Sequence, residues 1–309
     1  MGEPFSYTLL WRDARVEQHS VQVGTQYYRD SFTERLRRLQ EQEKLPIIMY
    51  EYKQGKRWLI DCHFKVDEVL DEKERETTKK IHSYYLANAI AETILQNWEK
   101  DHIRWLLRNK YKMKREETVT VFEKALQYLN EESKEWKGYR IHRKASLVNQ
   151  ILKCFDTQRI FDVEGFLRFR AKDYREELQK AVAYVVNEHI IETEYVEFIE
   201  LLKSYVDSQE PKLHTLHVGI TKKGKFNLYD EGGKQITKKY MDELSLMDNN
   251  SPELTFEDLL VSALIAVSPR KIFLHIKYEG YEDTLETICK VFEGRVHYCT
   301  GDCPICQKI

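Results

Sequence analysis

The spacing of apolar residues changes twice along the chain, and each change marks a different kind of structure. In the first stretch Ile47-Ile-Met-Tyr-Glu-Tyr-Lys53 and Arg57-Trp-Leu-Ile-Asp-Cys-His63 read as two strands of a hairpin. Between them Gln54-Gly55 supplies a glycine for the positive φ that tight turns demand. A short strand is expected over 4–10, and a charged helix over 31–42 that turns Phe32, Leu36 and Leu39 to one side.

From 68 to 209 proline is absent, glycine falls to Gly138 and Gly165, and helical spacing takes over. The stretch 81–95 is apolar on most sides through Ile81, Tyr85, Leu86, Ala89, Ile90, Ile94 and Leu95, which predicts a central helix covered by others. Val119, Phe122, Leu126 and Leu129 form one stripe; Leu147, Val148, Ile151, Leu152 and Phe155 form another. A longer helix is expected to start at Asp162, a suitable N-cap, and to carry Phe166, Leu167, Tyr174, Leu178, Val182 and Val185 inward. The pattern continues through Tyr195, Phe198, Ile199 and Leu202 until Pro211 closes the region.

Beyond Pro211 strands return. Segments 213–221, 225–229 and 234–237, separated by Lys223-Gly224 and Asp230-Glu-Gly-Gly233, read as a three-strand meander. Ser251-Pro252 is the expected start of a helix whose face is Phe256, Leu259, Leu260, Ala263, Leu264 and Val267, with Ser268-Pro269 as its stop. A strand over 271–277, a helix over 283–292 and a final strand over 295–299 favour a right-handed parallel crossover. The fold class is therefore α+β and helix-rich. Three parts are expected: an N-terminal α+β unit over 1–66, a helical domain over 67–210 and a C-terminal α/β unit over 211–309.

Hydrophobic residues at 42% and charged residues at 32% suit a folded protein. The 49 basic and 51 acidic side chains leave a net charge of −2, so any attraction to nucleic acid or membrane must come from a local patch. No apolar run approaches the roughly 20 residues of a membrane span. No basic segment leading into an apolar run opens the sequence, and a cytoplasmic location is expected.

The most pointed chemistry lies at Cys299-Thr-Gly-Asp-Cys303-Pro-Ile-Cys306, three thiols separated by turn-forming residues that let them converge on one soft ion. His297 and Cys299 are two apart on a strand and share a face, so His297, Cys299, Cys303 and Cys306 form a candidate Cys₃His set for zinc. Asp302, His275 or a second chain are alternative sources of the fourth ligand. The competing reading is a reduced tail with ordinary thiols. Cys-x₃-Cys-x₂-Cys also matches the spacing of radical S-adenosylmethionine enzymes, but those carry it ahead of a barrel, which makes an iron–sulfur or thiol redox enzyme the weaker alternative. Cys62, Cys154 and Cys289 read as small buried apolar residues. His214 and His217 are three apart on a strand and face opposite sides, which argues against a shared metal. No phosphate loop and no Gly-x-Ser-x-Gly elbow occurs, and the reading leans away from catalysis.

Basic residues interleave with aromatics in two places. Arg104, Trp105, Arg108, Lys110, Tyr111, Lys112, Lys114 and Arg115 form one group; Lys134, Trp136, Lys137, Tyr139, Arg140, His142, Arg143 and Lys144 form the other. A nucleic-acid-binding module using Arg104, Arg108, Lys112, Arg140, Arg143 and Lys144 is the alternative function. Against it, basic helix ends and long cationic stems over apolar surface are ordinary structural features.

Phe256-Glu-Asp-Leu-Leu-Val-Ser-Ala-Leu-Ile-Ala-Val-Ser-Pro-Arg-Lys-Ile-Phe-Leu-His275, then Thr287-Ile-Cys-Lys-Val-Phe292, Arg295-Val296 and the terminal cysteines resemble the YtxC-like sporulation proteins of endospore-forming bacteria. The resemblance covers roughly the last 60 residues. It implies a cytoplasmic protein of spore formers, named for sporulation, with no activity to carry over to particular residues. A binding role with an unidentified protein partner is the expectation.

Overall fold

A computed structural model describes residues 18–66, 70–130, 140–157, 160–221, 225–241 and 255–309. The chain forms two compact units, Met1–His189 and Ile190–Ile309. The strand expected over 4–10, the turn at Lys223-Gly224 and the helix start at Ser251-Pro252 lie outside the described residues. The helix-rich α+β class holds: two small mixed sheets stand among long helices.

In the first unit, β1 (Gln18–Thr25), β2 (Ile47–Gln54), β3 (Arg57–Lys65) and β4 (Ile160–Asp162) form a sheet in the order β2-β3-β1-β4. β2 and β3 make the expected hairpin, with Gln54 opposite Arg57 and Gly55 at φ +61°. α1 (Arg29–Gln42) buries Phe32 and Leu36 against it. α2 (Glu72–Thr93) opens on a reciprocal cap: the Asp71 carboxylate accepts from the Glu74 N–H while the Glu74 carboxylate accepts from the Asp71 N–H. The helix then runs without a break through a π-turn (Ile94–Trp98), α3 (Glu99–Trp105) and a second π-turn (Leu106–Lys110). α4 (Arg115–Asn130), α5 (Arg140–Phe155), α6 (Val163–Phe169) and α7 (Lys172–Ser208) follow. Strands and helices share one core, in which Val23, Ile60 and Phe64 meet Leu86, Ile90, Leu147 and Ile151.

Three expectations shift here. Ile81 is exposed, and His82 goes inward instead, its ring stacked on Phe64 at 4.6 Å. In α4 Val119 is exposed and the buried stripe is Thr118, Val121, Ala125 and Leu129. Thr118 can occupy that face because its hydroxyl donates to the Lys114 carbonyl, 2.7 Å away, and needs no outside partner. Asp162 does cap a helix, accepting from the Gly165 N–H, but this helix ends where Arg170 and Ala171 both donate to the Phe166 carbonyl; α7 begins afresh.

In the second unit β5 (Leu213–Ile220), β6 (Phe226–Tyr229), β7 (Pro269–Ile276) and β8 (Val296–Tyr298) lie in the order β6-β5-β7-β8, antiparallel between β5 and β6 and parallel from β5 through β8. The third strand of the meander shrinks to one bridge, Tyr229 to Gln235. α8 (Phe256–Val267), capped by Thr255 and Asp258, ends on Ser268 at φ +41°, and Pro269 starts β7. α9 (Glu282–Val291) crosses to the parallel strand β8 as expected. One sheet face buries Leu216, Val218, Ile220, Ile272 and Leu274 in a core with α8, α9 and the α7 residues Ile199 and Val206. Strand alternation places His217, Gly219, Phe273 and His275 on the other face. Among the described residues no helix is long and apolar enough to cross a membrane.

Candidate metal centre

Parallel strands are usually covered by apolar layers on both faces, so a face carrying His217, Gly219 and His275 needs another cover. Residues 299–309 provide part of it. The chain leaves β8 with the Cys299 N–H still bonded to the Leu274 carbonyl at 3.0 Å, as if the ladder continued. It then turns at Gly301, whose φ of +103° few other residues adopt. Pro304 and Ile305 form a turn, and a single 3₁₀ turn, Cys306–Lys308, follows with the Lys308 N–H on the Ile305 carbonyl. Ile305 is buried, and the tip of Ile309 occupies the space that a Cβ on Gly219 would need.

This path brings together Cys299, Cys303, Cys306 and His275, whose three Sγ atoms and one ring nitrogen all lie within 4.8 Å of one another. His275 Nδ1 is 3.3 Å from both Cys303 Sγ and Cys306 Sγ. The sulfur of Cys306 is 3.6 Å from that of Cys303 and 3.7 Å from that of Cys299. The Cys306 N–H donates to Cys303 Sγ at 3.4 Å. His275 and Cys306 are each 2% exposed, while Cys299 and Cys303 are half-buried.

The nitrogen in this group belongs to His275, not His297. His297 is exposed on β8, its ring tilted against Phe273 at 5.2 Å. The register explains the difference: Phe273 pairs with His297 and Leu274 with Tyr298, so the next step along both strands sets His275 beside Cys299. His217, one strand further in, faces His275 with its Nδ1 3.0 Å from His275 Nε2. If Nδ1 of His275 turns to an ion, its Nε2–H donates to His217, an arrangement that fixes the ring and its tautomer.

Protonation follows from the same burial. His275 is pushed down to about 4 by burial and by His217 beside it, so it is neutral near pH 7 and able to ligate. Burial pushes Cys306 up to about 11, with the neighbouring thiols Cys303 and Cys299 adding to the effect. Burial also raises Cys303, but the Cys306 N–H, the thiols of Cys299 and Cys306 and the Ile305 N–H outweigh it and leave this thiol below its ordinary value. Cys62 and Cys154 are buried, whereas Cys289 is half-buried with its sulfur 3.4 Å from the Tyr298 hydroxyl.

The residues considered for nucleic acid are dispersed in their roles. Arg143 is 3% exposed and donates to the Leu129 carbonyl and to Glu99. Arg140 and Lys144 hold the buried Glu92, together with Arg35; burial would raise that carboxyl, and the three cations keep it below its usual value. Arg104 lies over the Phe122 ring at 4.1 Å and pairs with Asp101. Arg108 and Lys112 are exposed. Lys134, Trp136, Lys137 and Tyr139 lie outside the described residues.

A model of the YtxC-like family matches residues 84–297. A curated relative, the uncharacterized protein YtxC of Bacillus subtilis (strain 168), is 25% identical over 159 residues, 51% of this chain and 54% of that protein. The chain thus spans about half the length of the curated relative it matches. No solved structure matches. The matched span contains His217 and His275 but ends before Cys299. With more than half its residues inside that span, the chain belongs to the YtxC-like family.

Proposed function

We propose that this protein is a non-catalytic, cytoplasmic, sporulation-associated binding protein whose C-terminal segment is fastened to its sheet by one Zn²⁺. The ligands are His275 Nδ1 and the Sγ atoms of Cys299, Cys303 and Cys306. One observation carries the reading, the edge lengths of the cluster. A tetrahedron built on Zn–S bonds near 2.3 Å and a Zn–N bond near 2.0 Å has sulfur–sulfur edges of about 3.8 Å and sulfur–nitrogen edges of about 3.5 Å. Four of the six edges, 3.6 and 3.7 Å between sulfurs and 3.3 Å from His275 Nδ1 to two sulfurs, come within a few tenths of an ångström of these, and the other two, both at Cys299, lie within 4.8 Å. Thiolates that hold an iron–sulfur cube each bind a different iron and must stand farther apart, so the iron–sulfur alternative fits this spacing poorly. Four protein ligands fill a structural zinc site and leave no open position for substrate, in keeping with a non-catalytic role.

Elemental analysis of protein purified without chelators tests this. One equivalent of zinc is expected, with no visible absorbance. Iron, or a metal content unchanged by Cys306→Ser, would sink the proposal. His217→Ala should leave the protein folded and weaken zinc binding by about 10- to 100-fold, because the Nε2–H of His275 then loses its acceptor. Competition with a chromophoric chelator measures that loss, and an unchanged affinity would remove His217 from the centre.

A further inference from the structure

Only part of the cluster faces solvent. A pocket of about 560 Å³ opens onto it, lined by Cys299 and Cys303 together with His217, Phe273, Tyr298 and Lys308, whereas Cys306 is buried behind them. A small polar solute in this pocket can therefore touch two of the three sulfurs. Cys303 and Cys306 flank the Pro304-Ile305 turn, and turns of this length bring their end Cα atoms to within about 7 Å, inside the range that a disulfide can bridge. Their sulfurs already stand 3.6 Å apart. The metal site and the means of dismantling it thus share the same two residues.

We propose that the centre is a thiol switch: a hydroperoxide entering this pocket oxidises Cys303, Cys306 closes a disulfide with it, and the zinc is released. The inference rests on the zinc reading above. In the first step the Cys303 thiolate attacks the terminal, hydroxyl-bearing oxygen of the hydroperoxide, breaking the O–O bond, to give the sulfenic acid and an alkoxide, which is hydroxide when the oxidant is hydrogen peroxide. In the second the Cys306 thiolate attacks the sulfenic sulfur, forming the S–S bond and expelling a second hydroxide. Two thiolates lose two electrons, and one peroxide gains them. His275 and Cys299 remain as ligands, too few to retain the ion. Reduction of the disulfide by a dithiol restores the site for zinc.

The test uses the full chain, with its zinc measured before treatment, and hydrogen peroxide as the probe. Peroxide is expected to release zinc in proportion to thiols lost, two thiols per ion, as read by a chromophoric chelator. Peptide mapping is expected to find the Cys303–Cys306 bridge, and a dithiol with added zinc should reverse the change. A Cys289→Ser variant should release zinc at the same rate, because that thiol does not line the pocket. Zinc that is present but retained under about tenfold excess peroxide overturns the switch and leaves the zinc reading standing. So does release accompanied by oxidation only at Cys62, Cys154 or Cys289. Absence of zinc before any peroxide is added overturns the zinc reading itself, and the switch with it.

Discussion

On the proposed zinc reading, chelation is expected to free residues 299–309 from the sheet and to destabilise the second unit by about 4 kcal/mol, for free zinc about a thousandfold above its dissociation constant. Without the ion the segment keeps few attachments. Among the described residues these include one backbone bond from Cys299 to Leu274, the buried Ile305 and Cys306, the contacts of Cys303 and Cys306 with His275, Ile309 over Gly219, and Lys308 Nζ on the Gly233 carbonyl and over the Tyr229 ring. Hydrogen exchange at the Cys299 and Ile305 amides should rise sharply on chelation. Residues 190–309 contain no tryptophan, so hydrogen exchange and not tryptophan fluorescence is the readout of the second unit. Equal amide protection with and without chelator would mean that the ion does not hold the segment. The pH dependence has a definite sign. Binding requires thiolates, and in the metal-free site burial holds Cys306 up at about 11, so protons compete with zinc and the apparent affinity weakens as pH falls.

The parts of the fold that can be read from sequence are those specified by neighbours along the chain. Gly55 marks the β2–β3 hairpin, and Ser268 and Gly294 stop the helices on either side of β7, where the backbone turns to positive φ; the cap at Thr255, four residues past the expected start at Ser251, is not among them. What could not be read depends on distant residues. Nothing in Ile94-Leu-Gln-Asn-Trp98 announces a π-turn, and the inward turn of His82 depends on the Phe64 ring across the core. Thr118 displaces Val119 from the buried stripe because one internal hydrogen bond makes its burial inexpensive.

The site divides along the same line. Three thiols close in sequence, with a glycine and a proline between them, are legible as a converging set. The nitrogen is not, because choosing His275 over His297 requires the β7–β8 register, which no local pattern encodes. His217 could have been found by comparing it with Leu216, Val218 and Ile220 instead of with His214. Parity sets it opposite those core residues, on the same face as Gly219, and a polar face on a parallel strand signals an unusual cover.

Replacing Glu99 by Gln is expected to destabilise the first unit by about 3–5 kcal/mol, since it leaves the Arg143 guanidinium buried without its counter-charge. Glu99 and Arg143 are 2% and 3% exposed, and one carboxylate oxygen lies 3.2 Å from the guanidinium. The other accepts from the Tyr174 hydroxyl at 2.6 Å, and burial with the adjacent Glu99 charge pushes that phenol well above its usual range. Arg143 also donates to the last turn of α4 through the Leu129 carbonyl, at 2.7 Å. The network therefore joins α3, α4, α5 and α7 at one point. Urea unfolding followed by tryptophan fluorescence reads this unit. Adding Arg143→Met to the Glu99 variant should cost less than the sum of the two single changes, because the stranded charge is then gone. It should not restore full stability, because the Leu129 carbonyl loses its donor. Simple additivity of the two changes would show that the pair contributes no coupling.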